Sequence, residues 1–421
     1  MERYNHHFIL NIDDCIGCTR CMRVCPTEAI RIVDGKVTLV ENQCVNCGAC
    51  LNACHVQAFN IIGDRKEQLN NYEFNVAILP IAIYGMIQEI EDLNIIYETL
   101  YDLGFDAVFD SSVIYELMGD KIEEYLKTHP NNPSILTYCA SVVHLIQLRY
   151  PALIQKLIPF DFPFEICAKL VRKIYMEKQN LKKEQIGVSY ITECVANYAV
   201  IKQPIGKEKS NVDCVFLLST IFKDILTHLS HKSKSQTSFK GAISSEGILW
   251  AKVGGLRRTT NLIDCLSVDG LDQVIRILEK VDLGQLQHLN VLDCCACVGG
   301  CVGGPFTLEN PFVAKSKINR LVNQIKTDKV PNLFKSFNEL INDEDWFFKG
   351  ELESFNHSKL GEDFLSSLIK LQKINEIYSK LPKIDCCACG SPSCRALAED
   401  VVNGFKQLND CMVLNRVHRG D

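Results

Sequence analysis

From Phe74 onward the chain alternates short apolar runs with longer stretches whose apolar residues recur at helical spacing. The run FNVAILPIAIY (74–84) predicts a buried strand, Ile87–Leu103 a helix, FDAVFD (105–110) a second strand and Val113–Leu126 a second helix. Apolar strands separated by amphipathic helices predict a parallel sheet covered by helices. Further along, the predicted strands run into cysteines. PSILTY (133–138) leads to Cys139 and the helical stretch SVVHLIQLRYP; IGVSYIT (186–192) leads through Glu193 to Cys194 and helical VANYAVI. LNVLD (289–293) leads into Cys294, Cys295, Cys297 and Cys301, interleaved with Gly299, Gly300, Gly303 and Gly304. Ligands of open α/β sheets bind beyond the carboxyl ends of the strands, so these three segments are expected to converge on one site. Thiolates are soft metal ligands, and glycines let backbone N–H groups approach a bulky cluster.

Outside this region the pattern weakens. Asp64–Tyr72 is polar and aperiodic and reads as a linker. Asn310–Leu381 is helical and of mixed polarity, with a polar break at Asn342–His357, and residues 393–408 form an amphipathic helix. The expected division is a small N-terminal domain (1–63), a large α/β domain (73–330), a helical connector (331–380) and a small helical C-terminal module (381–421).

Composition narrows the class. At 421 residues the chain is long enough for two or three units. Its 47% hydrophobic and 23% charged residues are those of a soluble globular protein, and a net charge of -6 argues against nucleic acid. No run reaches the ~18 apolar residues of a membrane span, and MERYNHHF lacks the pattern of a secretory leader, so a cytoplasmic location is expected. Twenty-two cysteines in tight groups fit metal ligation in a reducing compartment better than a disulfide framework.

Two of these groups are equivalent. Cys15, Cys18, Cys21 and Cys25 are followed by Pro26, and Cys44, Cys47, Cys50 and Cys54 by His55, which reads as a turn residue. This is the bacterial ferredoxin spacing, in which the fourth cysteine of each run crosses to the other cluster. It predicts one 4Fe–4S cluster on Cys15, Cys18, Cys21 and Cys54 and another on Cys44, Cys47, Cys50 and Cys25. Structural zinc, at four ligands per site, explains two such runs less well. Cys386, Cys389, Cys394 and Cys411 have the spacing of a four-cysteine cluster module, with the amphipathic helix returning Cys411 to the others. Cys167, Cys214 and Cys265 lie in apolar surroundings and read as core, His144 as structural, and Cys294 and Cys387 have no assigned role.

The segments around Cys139, Cys194 and Cys301 resemble the three signature motifs of the FeFe hydrogenase catalytic domain. The family's TSCCP or SACP is similar to Thr137, Tyr138, Cys139, Ala140, and its PCxAK to Glu193, Cys194, Val195, Ala196, Asn197. Its MACPGGCxGG is similar to the run from Cys295 through Ala296, Cys297, Val298 and Cys301 to Gly304. The flanking VVHLIQLRYPALI, SSEGILWAKVGG and FTLENPFVAK resemble the shorter, sensory-type branches, and the likeness covers most of residues 75–330. It implies a two-lobed α/β domain with parallel sheets and a fourth 4Fe–4S cubane on Cys139, Cys194, Cys297 and Cys301. In the family, Cys301 would bridge this cubane to a two-iron centre carrying CO and cyanide. Tyr138 stands at the family's proton-relay cysteine and Asn197 at its cyanide-anchoring lysine, while Cys295, Val298 and Glu193 replace methionine, proline and proline. The C-terminal module resembles those of Rnf-type B subunits and corrinoid iron–sulfur proteins.

Three functions fit these residues. The first is a hydrogenase-type redox protein with slow H2 chemistry or H2 sensing, because a phenol near pKa ~10 relays protons less readily than a thiol near ~8.5. The second is an electron-transfer protein with four 4Fe–4S clusters and no two-iron centre. The third is an assembly or carrier protein similar to the Nar type. Each implies a redox or regulatory protein partner, such as ferredoxin or a reductase subunit.

Overall fold

Two short antiparallel strand pairs frame the N-terminal cysteine runs in the computed structural model, which describes residues 7–231, 242–260, 262–325, 331–355 and 363–419. β1 (Ile9–Leu10) pairs with β4 (Phe59–Asn60), and β2 (Ile30–Val33) forms a hairpin with β3 (Lys36–Leu39). The hairpin turns at Asp34 and Gly35, both at positive φ, the geometry for which an Asp-Gly pair is suited. This segment shares one compact unit, residues 1–61 with 354–421, with the end of the chain. There the helix Phe364–Lys380 and the helix Cys394–Val402 enclose a core of Ile374, Leu381, Leu397 and Ala398 with Cys394 and Cys411. The helix Pro331–Leu340 belongs to the other unit, 62–353, so residues 331–380 divide between the two. Asn356 and His357, which end the expected polar break, lie outside the described residues.

The larger unit holds two parallel sheets, as the β/α alternation requires. β5 (Phe74–Leu79), β6 (Ala107–Asp110), β8 (Ile186–Thr192) and β9 (Cys214–Leu217) lie in the order β6-β5-β8-β9. β7 (Ser134–Ile135), β10 (Cys265–Asp269) and β11 (Val291–Cys295) lie in the order β10-β11-β7. β8 is buried along its whole length, which explains why it reads as an unbroken apolar run. Among the described residues no helix is long and apolar enough to cross a membrane.

Several elements differ from expectation for local reasons. The strand predicted over 74–84 stops at Leu79, because Pro80 has no N–H for a ladder, and Ile81–Gly85 coil into a 3₁₀ turn. The following helix starts at Asp92 rather than Ile87, since the Asp92 carboxylate accepts from the amides of Gln88 and Glu89 at 2.8 and 3.0 Å. The polar stretch Asp64–Tyr72 is not a free linker. Asp64 accepts from the Val215 amide and the Lys202 ammonium at 2.7 and 2.6 Å, and Leu69 is buried in a 3₁₀ turn.

Asp110, at the end of β6, carries a pH-dependent share of stability. Burial pushes its carboxyl above the ordinary range, while hydrogen bonds from Ser112 and Tyr84 partly offset the shift. The folded state therefore keeps a proton that the unfolded chain has released, and stability falls as pH rises from the unfolded value of about 3.9 through the raised one. Asp110→Asn is expected to remove this fall, so the variant should gain on the native protein as pH rises; urea midpoints over that range measure it.

Candidate metal centre

Two of the three cysteine segments of the larger unit leave their strands in the same way. Cys139 and Cys194 sit at the N-caps of the helices Ala140–Arg149 and Val195–Lys202, with extended backbone. An N-cap exposes free amides, and here they point at sulfur. Burial raises the Cys139 thiol while the amides of Ala296, Val142 and Ser141 work against it, the Ala296 nitrogen lying 3.5 Å from Sγ. Burial likewise raises Cys194, with the amides of Asn197 and Ala196 opposing. Cys301 is raised by burial and lies within electrostatic range of Glu193, Cys295, Cys139 and Cys194. The fold thus brings Cys139, Cys194 and Cys301 together from three segments distant in the chain. Cys297 is half-buried in the same loop as Cys301, and the fully buried Cys294 belongs to β11. Burial favours the protonated thiol at Cys139, Cys194 and Cys301, and binding a metal there would release the proton.

The loop carrying Cys297 and Cys301 is held by backbone. Gly299 donates to the Asp269 carboxylate at 2.6 Å, Val302 to the Ala251 carbonyl at 3.0 Å and Phe306 to the Glu193 carbonyl at 3.1 Å. Gly299 and Gly300 have φ of 91° and 96°, outside the comfortable range of other residues.

Around these sulfurs lie groups whose roles the local sequence did not disclose. The Tyr138 hydroxyl donates to Asp293 Oδ1 at 2.5 Å and lies 2.8 Å from Cys295 Sγ; the other Asp293 oxygen accepts from the Gly254 amide at 3.0 Å. The Tyr138 ring meets Trp250 edge to face. Glu193 is fully buried; burial lifts its carboxyl to about 7, partly offset by the hydrogen bond from Tyr190. The Tyr190 hydroxyl is 3.3 Å from Glu193 Oε2. Tyr115, Tyr138 and Tyr190 all lie within electrostatic range of Cys301. Asn197 is buried in the first helical turn after Cys194. The only sequence signals for this network were a charged residue before Cys194 and another before Cys294.

In the smaller unit the ferredoxin-spaced cysteines group across the two runs. Burial raises Cys21 to about 11, with Cys54, Cys15 and Cys18 adding to the shift. Burial raises Cys50, with Cys47, Cys44 and Cys25 adding. The fourth cysteine of each run is held alike: Cys25 Sγ accepts from the Ala29 amide and Cys54 Sγ from the Ala58 amide, both at 3.2 Å. His55 is exposed, as a turn residue should be. Cys386, Cys389, Cys394 and Cys411 line one cavity together with Cys387, whose thiol donates to the carbonyls of Pro392 and Asp385 at 3.2 and 3.4 Å. Among the described residues no group of three or more His, Cys, Asp or Glu closes around a point as a single metal ion requires.

Residues 80–255 and 216–305, together more than half of the chain, match the model of the iron-only hydrogenase large subunit, C-terminal domain. The chain belongs to this hydrogenase family. Residues 7–55 match the 4Fe–4S dicluster domain and residues 381–413 an Fe–S cluster family, so this member of the hydrogenase family is an iron–sulfur protein at both ends. Solved structures agree on the fold. HydA(ΔEFG), described as revealing stepwise assembly of the FeFe-hydrogenase H-cluster, is 14% identical with a TM-score of 0.50, over 69% of this chain and 96% of its own. A variant of the FeFe-hydrogenase HydA1 from Chlamydomonas reinhardtii is 14% identical with a TM-score of 0.50, over 69% of this chain and 98% of its own. An apo form of a HydA1 variant from the same organism is 15% identical with a TM-score of 0.50, over 69% and 96%. No curated protein matches the chain.

Proposed function

We propose that this hydrogenase-family chain is an electron-transfer protein with four 4Fe–4S clusters and no two-iron centre. The clusters are assigned to Cys15, Cys18, Cys21 and Cys54; to Cys25, Cys44, Cys47 and Cys50; to Cys139, Cys194, Cys297 and Cys301; and to Cys386, Cys389, Cys394 and Cys411. The cubane assignment in the larger unit is supported by the donor set: four thiols from three segments, two of which, Cys139 and Cys194, are capped by helix N-terminal amides that would stabilise an anionic cluster. Such a cluster supplies one-electron storage.

A two-iron centre does not fit the same residues. The observation that carries this is the fully buried carboxyl of Glu193, the residue before Cys194, which lies within electrostatic range of Cys301. A buried carboxyl thus lies near the one sulfur from which the second metal group would hang. It is flanked by Tyr190, while the Tyr138 hydroxyl is engaged by Asp293 and Cys295. Anionic cyanide ligands need donors and neutral packing, and Glu193 places a buried carboxyl there where the family has proline. The protein's own groups therefore bind and bury the cubane, exclude water and set its potential through amide hydrogen bonds. The clusters pass electrons to a redox partner in a reducing compartment, which we take to be the cytoplasm.

Co-expression with the maturation enzymes that build two-iron centres tests the proposal. The purified protein is expected to hold about 16 Fe per chain and to show no CO or cyanide stretching bands in the infrared. Such bands would return the chain to the slow-hydrogenase function.

A further inference from the structure

The C-terminal four-cysteine module is built into the ferredoxin segment rather than tethered to it. The Ile32 amide of β2 donates to the Gly390 carbonyl at 2.8 Å. Gly390 has φ +77°, and a Cβ there would overlap the Ile32 carbonyl oxygen, so the two backbones are in direct contact. One residue earlier, Arg31 Nε lies 2.7 Å from Asp400 Oδ2, with both side chains buried. The same Asp400 oxygen accepts from the Ser391 hydroxyl at 2.8 Å, and Arg31 also donates to the Glu28 carbonyl at 2.6 Å. Separating the two segments would leave both charges of this buried pair uncompensated.

The β2–β3 hairpin is fixed equally firmly on its other side. Gly17, between Cys15 and Cys18, packs so closely on the Gly35 carbonyl that a Cβ would collide with it. Lys36 Nζ donates to the Cys15 carbonyl at 2.8 Å. One groove is therefore lined by Gly17 and Thr19 on the ferredoxin side and by Cys387 to Gly390 on the other, with residues 32–35 between them. Arg23, between Cys21 and Cys25, lies within electrostatic range of Cys387.

We propose that the C-terminal cluster exchanges electrons directly with the ferredoxin cluster on Cys15, Cys18, Cys21 and Cys54, across the β2–β3 hairpin, making this unit a three-cluster relay. The inference rests on the four-cluster reading above. One electron leaves the reduced C-terminal cluster and reduces the oxidised ferredoxin cluster; no bond is made or broken and no proton need move. The Arg31–Asp400 pair and Gly390 act as positioning residues.

Paramagnetic relaxation reads the contact without any activity assay. Full-length protein, loaded anaerobically with iron and sulfide and reduced with dithionite, is followed by EPR power saturation of the C-terminal cluster, whose signal is identified by its loss in Cys389→Ser. Cys18→Ser, which disables the neighbouring ferredoxin cluster, is expected to lower the half-saturation power of that signal several-fold. An unchanged value, with the C-terminal iron retained, overturns the relay. If Cys18→Ser sheds iron elsewhere, Gly390→Val forces the module off Ile32 while leaving every ligand in place, and the same drop at full iron content is expected. Failure of the underlying four-cluster reading shows separately, as a low iron count or as infrared bands.

Discussion

On the proposed four-cluster assignment, Gly300→Ala is expected to strip the larger unit of its cluster while leaving the other three in place. At φ +96° the backbone is strained for any residue with a side chain, at a cost of about 1–3 kcal/mol. The added Cβ would also stand 2.6 Å from the Val253 nitrogen, 2.8 Å from Lys252 Cα and 2.9 Å from the Ala251 carbonyl oxygen. All three are backbone atoms of the segment that clamps the loop, so no side chain can swing aside, and overpacking adds about 1–3 kcal/mol more. A domain stable by about 5–15 kcal/mol survives this only by moving the loop, and Cys301 is the next residue. Iron should fall by about 4 Fe per chain, with the ferredoxin EPR signals unchanged. Gly35→Ala provides the contrast. It too has positive φ, but nothing lies within 4 Å of its Cβ, so it should cost about 1–2 kcal/mol and no iron. Full iron in Gly300→Ala would refute the placement of the cluster loop.

Arg31→Ala should destabilise the smaller unit by about 3–5 kcal/mol, because it leaves the Asp400 carboxylate buried with the Ser391 hydroxyl and without its cation. Surface pairs such as Lys380–Glu376 contribute far less, since water already solvates both partners. The double variant Arg31→Met with Asp400→Leu is expected to recover most of the loss, as apolar side chains of similar size replace both charges together. Urea unfolding followed through cluster absorbance distinguishes these outcomes. Equal losses in the single and double variants would mean that the seam depends on the Ile32–Gly390 backbone contact instead. The two experiments address different joints, one inside a cluster loop and one between two cluster modules.

Sequence alone determined the parts of this protein whose physics is local. Metal-ligand spacing is a property of a few consecutive residues, which is why the two ferredoxin runs and the C-terminal CxxC were legible, and with them the iron–sulfur character. β8 was legible because a strand buried on both faces must be apolar throughout, and its abrupt end at Glu193 and Cys194 marked the site. Pro80 and Asp92 shortened predicted elements through single-residue effects that periodicity averages away. What only the tertiary structure decided are contacts between residues far apart in the chain. Tyr138 and Asp293 are 155 residues apart and Arg31 and Asp400 369 apart, yet each pair shares a buried hydrogen bond. Glu193 reads in sequence as a substituted proline; only the fold buries its carboxyl within electrostatic range of Cys301. Burial makes these polar groups choose partners, and burial is a property of the packed chain rather than of any stretch of it.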